Sequence, residues 1–326
     1  MSDLRAAPVE TDANPMPPGG EVIWLTVGAR APMRTMIWRP EKAGIENCRG
    51  TVLLLNGRTE FIEKYFEVIG ELIQRGFAVA SLDWRGQGLS HRALGDQHCG
   101  HIDDFAAFDR DLGVFLEQIV KPSLPWPLIG LGHSMGGNLL MRLLGREPGL
   151  LTCAAFSAPM LGIRFPNALM GMAAALAAHA AVAFGKAESY VPGGGPDMME
   201  GATFAENIVT HDERRFLRTM GILEAEPDLK LGSPSYGWFK AALASCKEVT
   251  RPAYLGGISI PVLIAVAGED VLVDNAAVKR AADLLPDCRF LEIAGARHEI
   301  LMEKDAVRAR FWEAFDQLTE EALQGA

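Results

Sequence analysis

No Cys-x-x-Cys pair occurs in this chain; its five cysteines stand apart at 48, 99, 153, 246 and 288. An odd, scattered set excludes a disulfide framework and a zinc ribbon, and it fits reduced thiols in a cytoplasmic protein. Positive charge is also short, with 31 Lys and Arg against 41 Asp and Glu and a net charge of −10. Neutralising phosphates takes clustered cations, so a general nucleic-acid binder is excluded. The opening MSDLRAAPVETDANPMPPGG has four prolines and no apolar core of the kind a secretory signal needs. It predicts a flexible arm over residues 1–20. The longest apolar stretch, 168–185, falls short of the roughly 20 residues that cross a bilayer, and it is mostly Ala and Gly with His179 inside it. It reads as a buried or lipid-facing helix.

What is present is a globular composition, 49% apolar and 22% charged over 326 residues, enough to bury a large core. Short apolar runs predict strands over 21–27, 33–38, 51–55, 77–82, 128–131, 152–156, 261–267 and 289–293. Helical spacing predicts helices over 60–75, 104–120 (stopped by Lys121-Pro122), 135–144, 275–285 and 299–318. After the first two strands the elements alternate strand and helix. That order predicts an α/β fold with an eight-stranded, mostly parallel sheet covered by helices on both faces. The stretch between the sixth and seventh strands is too long for a loop and holds no buried strand pattern. The expected organisation is therefore a core over 21–158 and 256–326, with a helical cap inserted over 159–255.

The strongest motif is Gly132-His133-Ser134-Met135-Gly136. It follows an apolar run and opens a helix. A serine there sits on a sharp strand-to-helix turn, and small neighbours let the backbones pass. The helix N-terminus behind it offers free N–H groups to a developing oxyanion. A dinucleotide loop beginning at Gly130-x-Gly132 fails at Met135, where Gly or Ala is required. A nucleophilic serine needs a base, and the base needs an acid. On this architecture they follow in the order Ser, acid, His, just past later strands. Of the seven histidines, His298 alone lies between the last strand and the last helix. Asp270 follows the seventh strand directly. Asp274 looks like the N-cap of the next helix, and Glu269 comes one residue early. The oxyanion donors expected are the main-chain N–H groups of Met135 and of Arg58, in the loop Asn56-Gly57-Arg58-Thr59.

Together the segments Asn56–Tyr65 (NGRTEFIEKY), DWRGQGLS from Asp83, GHSMGG, GEDVLVD and GARHEIL resemble the α/β-hydrolase superfamily. Within it the chain is similar to the bacterial lysophospholipase and monoacylglycerol lipase group, the serine-aminopeptidase-like hydrolases, over roughly 21–320. The loop reads Asn56-Gly57 where that group usually has His-Gly. The resemblance implies a serine hydrolase that cleaves carboxylic esters of monoacyl lipids through an acyl-enzyme on Ser134. It implies no metal and no organic cofactor. A lysophospholipase is the first expectation, with a monoacylglycerol lipase or broad carboxylesterase as alternatives. A peptidase would need an acidic subsite for a peptide amine. A non-catalytic ligand-binding protein on the same fold is the reading outside enzymes.

Weaker signals complete the expectations. Asn56, Gly57, Met160 and Met170 are assigned to the substrate pocket. Met170, Met172, Phe184, Met198 and Met199 suit either an acyl-chain tunnel or plain packing. Arg58 and Lys64 read as solvated charges or as contacts for an anionic head group. Asp83 and Arg85 read as loop-pairing residues. His98-Cys99-Gly100-His101 has ligand-type residues but no fourth ligand at usable spacing. The partner expected is a small lipid-like ester, with transient membrane contact through the cap of a cytoplasmic, peripherally attached protein.

Overall fold

The computed structural model describes residues 7–28, 31–196 and 201–324. Eight strands form one sheet: β1 (Gly20–Val27), β2 (Ala31–Trp38), β3 (Thr51–Leu55), β4 (Ala78–Leu82), β5 (Leu128–His133), β6 (Cys153–Ser157), β7 (Val262–Ala267) and β8 (Cys288–Ile293). Their spatial order is β1-β2-β4-β3-β5-β6-β7-β8. β2 runs antiparallel to both β1 and β4, and the remaining pairs are parallel. The longer helices are α1 (Phe66–Gln74), α2 (Ala106–Phe115), α3 (Met135–Arg146), α4 (Ala168–Ala183), α5 (Glu213–Ala225), α6 (Tyr236–Val249), α7 (Asn275–Ala282) and α8 (Asp305–Gln324).

The strands are apolar throughout because both faces are covered. On β3, Leu53 and Leu55 face a layer that includes Leu112, Leu139 and Val278, from α2, α3 and α7. Val52 and Leu54 face the opposite layer, with Phe66 and Ile69 of α1 and Phe311 and Phe315 of α8. Because β3 to β8 run parallel, the chain leaves all their carboxyl ends on one edge. Loops far apart in sequence meet on that edge.

Two boundaries moved for local reasons. The helix expected over 60–75 opens with a 3₁₀ turn, Ile62–Tyr65, before α1. The helix expected to stop at Lys121-Pro122 runs on through a π turn, Leu116–Val120, to Ser123. Pro122 stands at the first helical positions of that last piece, where no N–H is needed.

The N-terminal arm is a clear correction. Residues 1–6 lie outside the described residues, but the rest of the arm is seated on the core. Val9 donates its N–H to Glu63 Oε1, Asn14 donates to the Glu63 carbonyl, and Trp38 Nε1 donates to the Pro17 carbonyl. Val9 also packs with Phe61, Ile222 and Leu223. Composition alone hid this, because the arm is ordered by groups from β2, the loop after β3 and α5.

Between β6 and β7 come α4, α5 and α6, whose residues join Ser134 and His298 in lining one cavity, and among the described residues no strand of the sheet falls in that segment. α6 packs on α3 and on α4. Among the described residues no helix is long and apolar enough to cross a membrane.

Candidate active site

Ser134 caps β5 with φ 51° and ψ −118°, a strained backbone for a residue with a Cβ. The turn holds because the next strand over tolerates contact at van der Waals range. A Cβ at Gly136 would lie 2.1 Å from the Leu55 carbonyl oxygen, so α3 can start beside β3 only with glycine there. Gly57 meets the same turn from the other side, where a Cβ would stand 3.2 Å from that of Ser134. The hydroxyl is thereby held clear of the sheet.

His298 follows β8 and Asp270 follows β7. The Ser134 hydroxyl donates to His298 Nε2 at 3.0 Å, and His298 Nδ1–H donates to Asp270 Oδ2 at 2.6 Å. Asp270 Oδ1 accepts from the N–H groups of Leu272 and Val273 at 2.8 and 3.1 Å. Burial pushes the Asp270 carboxyl up. The His298 bond and the two N–H donors outweigh it and hold the group below the usual carboxylate range. A fixed carboxylate, an imidazole oriented by it and a hydroxyl in contact can pass the serine proton to the ring.

The main-chain N–H groups of Arg58 and Met135 have no hydrogen-bond partner among the described residues. Met135 is the first residue of α3, where the N–H has no intrahelical acceptor. Arg58 is released for a different reason, one the sequence reading missed. The Gly57 N–H and the Tyr65 hydroxyl both donate to Glu60 Oε2, so Glu60 takes the neighbouring donor and sets the loop. Glu60 is buried, and burial alone would raise it. Lys64, 2.9 Å away, His133 and the Tyr65 hydroxyl bring it to about 2. Lys64 in turn meets Glu299 at 2.6 Å. It is neither a solvated charge nor free for a head group. The available signal was the Gly57-x-x-Glu60 spacing, which suits a side chain bonding back to the chain three residues earlier.

His133, packed at 4.9 Å from the His298 ring, donates its Nδ1–H to the Ser157 carbonyl at 2.9 Å. Burial, His298 and Lys64 together push it down to about 4 against the pull of Glu60, so it stays neutral.

Above Ser134 and His298 opens a cavity of about 820 Å³ with a mostly apolar wall, including Ile163, Ala174, Ala177, Phe216, Leu223, Trp238 and Phe239. Met160 is on that wall, as expected. Asn56, Gly57 and Met170 are not. Asn56 is fully buried, donating to the Leu82 carbonyl and accepting from Trp84 Nε1 through its own carbonyl. Met170, Met172 and Phe184 are exposed; from α4 it is Ala174 and Ala177 that line the cavity. Met198 and Met199 lie outside the described residues. Asp274 caps α7, accepting from Ala276 and Ala277, and Glu269 faces His211. Asp83 and Arg85 do not pair with each other. Asp83 binds Arg34 and Arg85 binds Asp111. His98, Cys99 and His101 engage Lys230, Glu188 and Ser235 in turn, and no cluster of metal-ligating side chains occurs among the described residues.

The sheet order, the strained serine and the Ser–His–Asp chain define an α/β-hydrolase. The profile of the serine aminopeptidase S33 family matches residues 46–305, and the chain belongs to that family. Lysophospholipase L2 of Escherichia coli is 35% identical over 268 residues, covering 79% of this chain and 76% of that protein. A monoacylglycerol lipase of Mycolicibacterium smegmatis is 25% identical over 271 residues, covering 82% and 86%. Among solved structures, a soluble variant of Saccharomyces cerevisiae monoglyceride lipase bound to a substrate analogue superposes with a TM-score of 0.75 over 97% of this chain and 99% of that one, at 19% identity.

Proposed function

We propose that this protein hydrolyses the carboxylic ester of monoacyl lipids, as a lysophospholipase, with Ser134 as nucleophile, His298 as base and Asp270 as orienter. The observation that carries this reading is the 3.0 Å contact between Ser134 Oγ and His298 Nε2 at the floor of the apolar cavity. His298 takes the Ser134 proton as the hydroxyl attacks the ester carbonyl. The N–H groups of Arg58 and Met135 receive the oxyanion. His298 then protonates the departing alcohol, and water activated by the same ring releases the fatty acid. Asp270 keeps Nδ1 protonated and balances the charge on the ring. A single acyl chain suits the walls, which are apolar with few polar groups.

The reading includes contact with a membrane surface. Leu169, Met170, Met172, Leu176 and Phe184 are exposed along α4 and its end, while Ala174 and Ala177 of the same helix line the cavity. One helix therefore touches both the chamber and the side from which a lipid would arrive.

The test is a fluorophosphonate probe together with a panel of lysophosphatidylcholine, lysophosphatidylethanolamine, monoacylglycerol and short p-nitrophenyl esters. Expected are labelling of the wild type, none of Ser134→Ala, and turnover of long-chain monoacyl lipids. Labelling without long-chain turnover would leave a short-ester carboxylesterase, and a wild type that never labels would favour a binding protein.

A further inference from the structure

Among the described residues Arg58 is the arginine that lines the cavity. Its guanidinium lies 5.2 Å from the Trp238 ring centre, and one Nη2–H donates to the Gly232 carbonyl at 2.6 Å. Its Nε is buried and has no partner. Among the described residues no carboxylate pairs with it, whereas Arg34, Arg142 and Arg215, whose side chains are more fully buried, each hold two or more. Its surroundings, Leu231, Pro234 and Trp238, are cavity wall, as is Arg58 itself. Lys230 joins the same wall and makes no ion pair among the described residues. A cation taken out of water without a counter-charge is unfavourable. Burial lowers this guanidinium to about 10 against weak support from Cys99 and Tyr190, which still leaves it charged at neutral pH. The cavity wall thus carries a guanidinium with no carboxylate partner among the described residues, although Glu60, Glu206 and Glu299 line other parts of the same cavity and Glu60 and Glu299 are paired with Lys64.

We propose that the Arg58 guanidinium, with Lys230 on the same cavity wall, binds the phosphodiester of the lipid head group, so that Arg58 serves the ester with its main-chain N–H and the head group with its side chain. This rests on the ester-hydrolase reading and narrows it to phosphate-bearing lipids. In a lysophospholipid the ester and the phosphodiester hang from one glycerol, and the backbone and tip of one arginine span a comparable short reach. An arginine fork suits phosphate oxygens, and its free Nε–H is one of the donors that would be used. A neutral monoacylglycerol offers the site no charge and leaves the cation uncompensated.

The experiment compares kcat/KM for lysophosphatidylcholine and for a monoacylglycerol of equal chain length, side by side, in wild type, Arg58→Met and Arg58→Lys. Damage to the shared hydrolytic machinery lowers both substrates together and cancels in the ratio. The expected result is a fall of tenfold or more in the phospholipid-to-neutral ratio for R58M, with part of it recovered in R58K. A ratio within twofold of wild type overturns the proposal. A second arm needs no turnover: binding of dodecylphosphocholine to Ser134→Ala, with and without R58M. Binding at least tenfold weaker in the double variant supports the subsite even if no substrate is cleaved, which would count against the hydrolase reading alone. Equal binding overturns it. Inorganic phosphate at millimolar concentration should displace the amphiphile poorly. Displacement as effective as that by the amphiphile itself would assign the site to free phosphate and overturn the lipid-head-group assignment.

Discussion

The carboxyl edge of the sheet and the segment that covers it obey different rules. At the edge, Ser134, Asp270 and His298 each sit within a few residues of a strand end, and Asp270 and His298 are buried and hydrogen-bonded. In the cover, α4 is apolar on all sides and exposes Leu169, Leu176 and Phe184, while only small residues such as Ala174 and Ala177 reach the cavity. The edge is rigid because parallel strands and their turns fix positions through backbone hydrogen bonds. The cover carries exposed apolar side chains, so its surface is free to serve a second task. In the proposed reading chemistry belongs to the first region and approach from the lipid side to the second.

That division can be broken most forcefully at the edge. Asp270→Asn preserves shape but cannot hold the His298 tautomer or its charge. The expected loss is on the order of 10⁴-fold in kcat on every substrate, soluble or lipid, with the fold intact by circular dichroism. A loss confined to lipid substrates would erase the distinction between the two regions.

A smaller effect concerns the neutral histidine under the site. His133 titrates at about 4 in the folded protein against 6.5 when unperturbed. Unfolding therefore takes up a proton between those values. Its contribution to stability is complete above pH 6.5 and is lost as pH falls toward 4, a change of about 3 kcal/mol. Chemical denaturation from pH 7 to 4 should show a shallower pH slope for His133→Gln than for wild type. Equal slopes would mean that His133 charges in place.

The smallest effect is expected in the cover. Leu176→Glu places a charge on the exposed side of α4. Partition onto phosphatidylcholine vesicles should fall several-fold, while turnover of a short soluble ester stays within twofold. An equal drop on both would tie α4 to the chemistry rather than to the surface.

Legibility in the sequence followed the same division. The eight strands, the Gly132–Gly136 turn, Asp270, His298 and the N-cap role of Asp274 were readable because each depends on neighbours a few positions away and on strand order. The seat of residues 7–19 was not, since it depends on Glu63 and α5. Nor was the Glu60 anchor of the Gly57 N–H, although its spacing was there to see. Lys64 reads as a surface charge until Glu60 and Glu299 close around it. Met170 reads as a pocket residue until the rotation of α4 turns it outward.

Local grammar alone decided that a serine, an acid and a histidine would leave the sheet on one edge in that order, because parallel strands send every following turn the same way. Only the packed chain decided which cations find counter-charges and which do not. Arg58 and Lys64 lie six positions apart in one loop; Lys64 is neutralised by Glu60 and Glu299, and Arg58 is left uncompensated in the cavity wall. Counter-charge in a low-dielectric interior depends on distances of a few ångströms between distant segments, and linear spacing does not encode those.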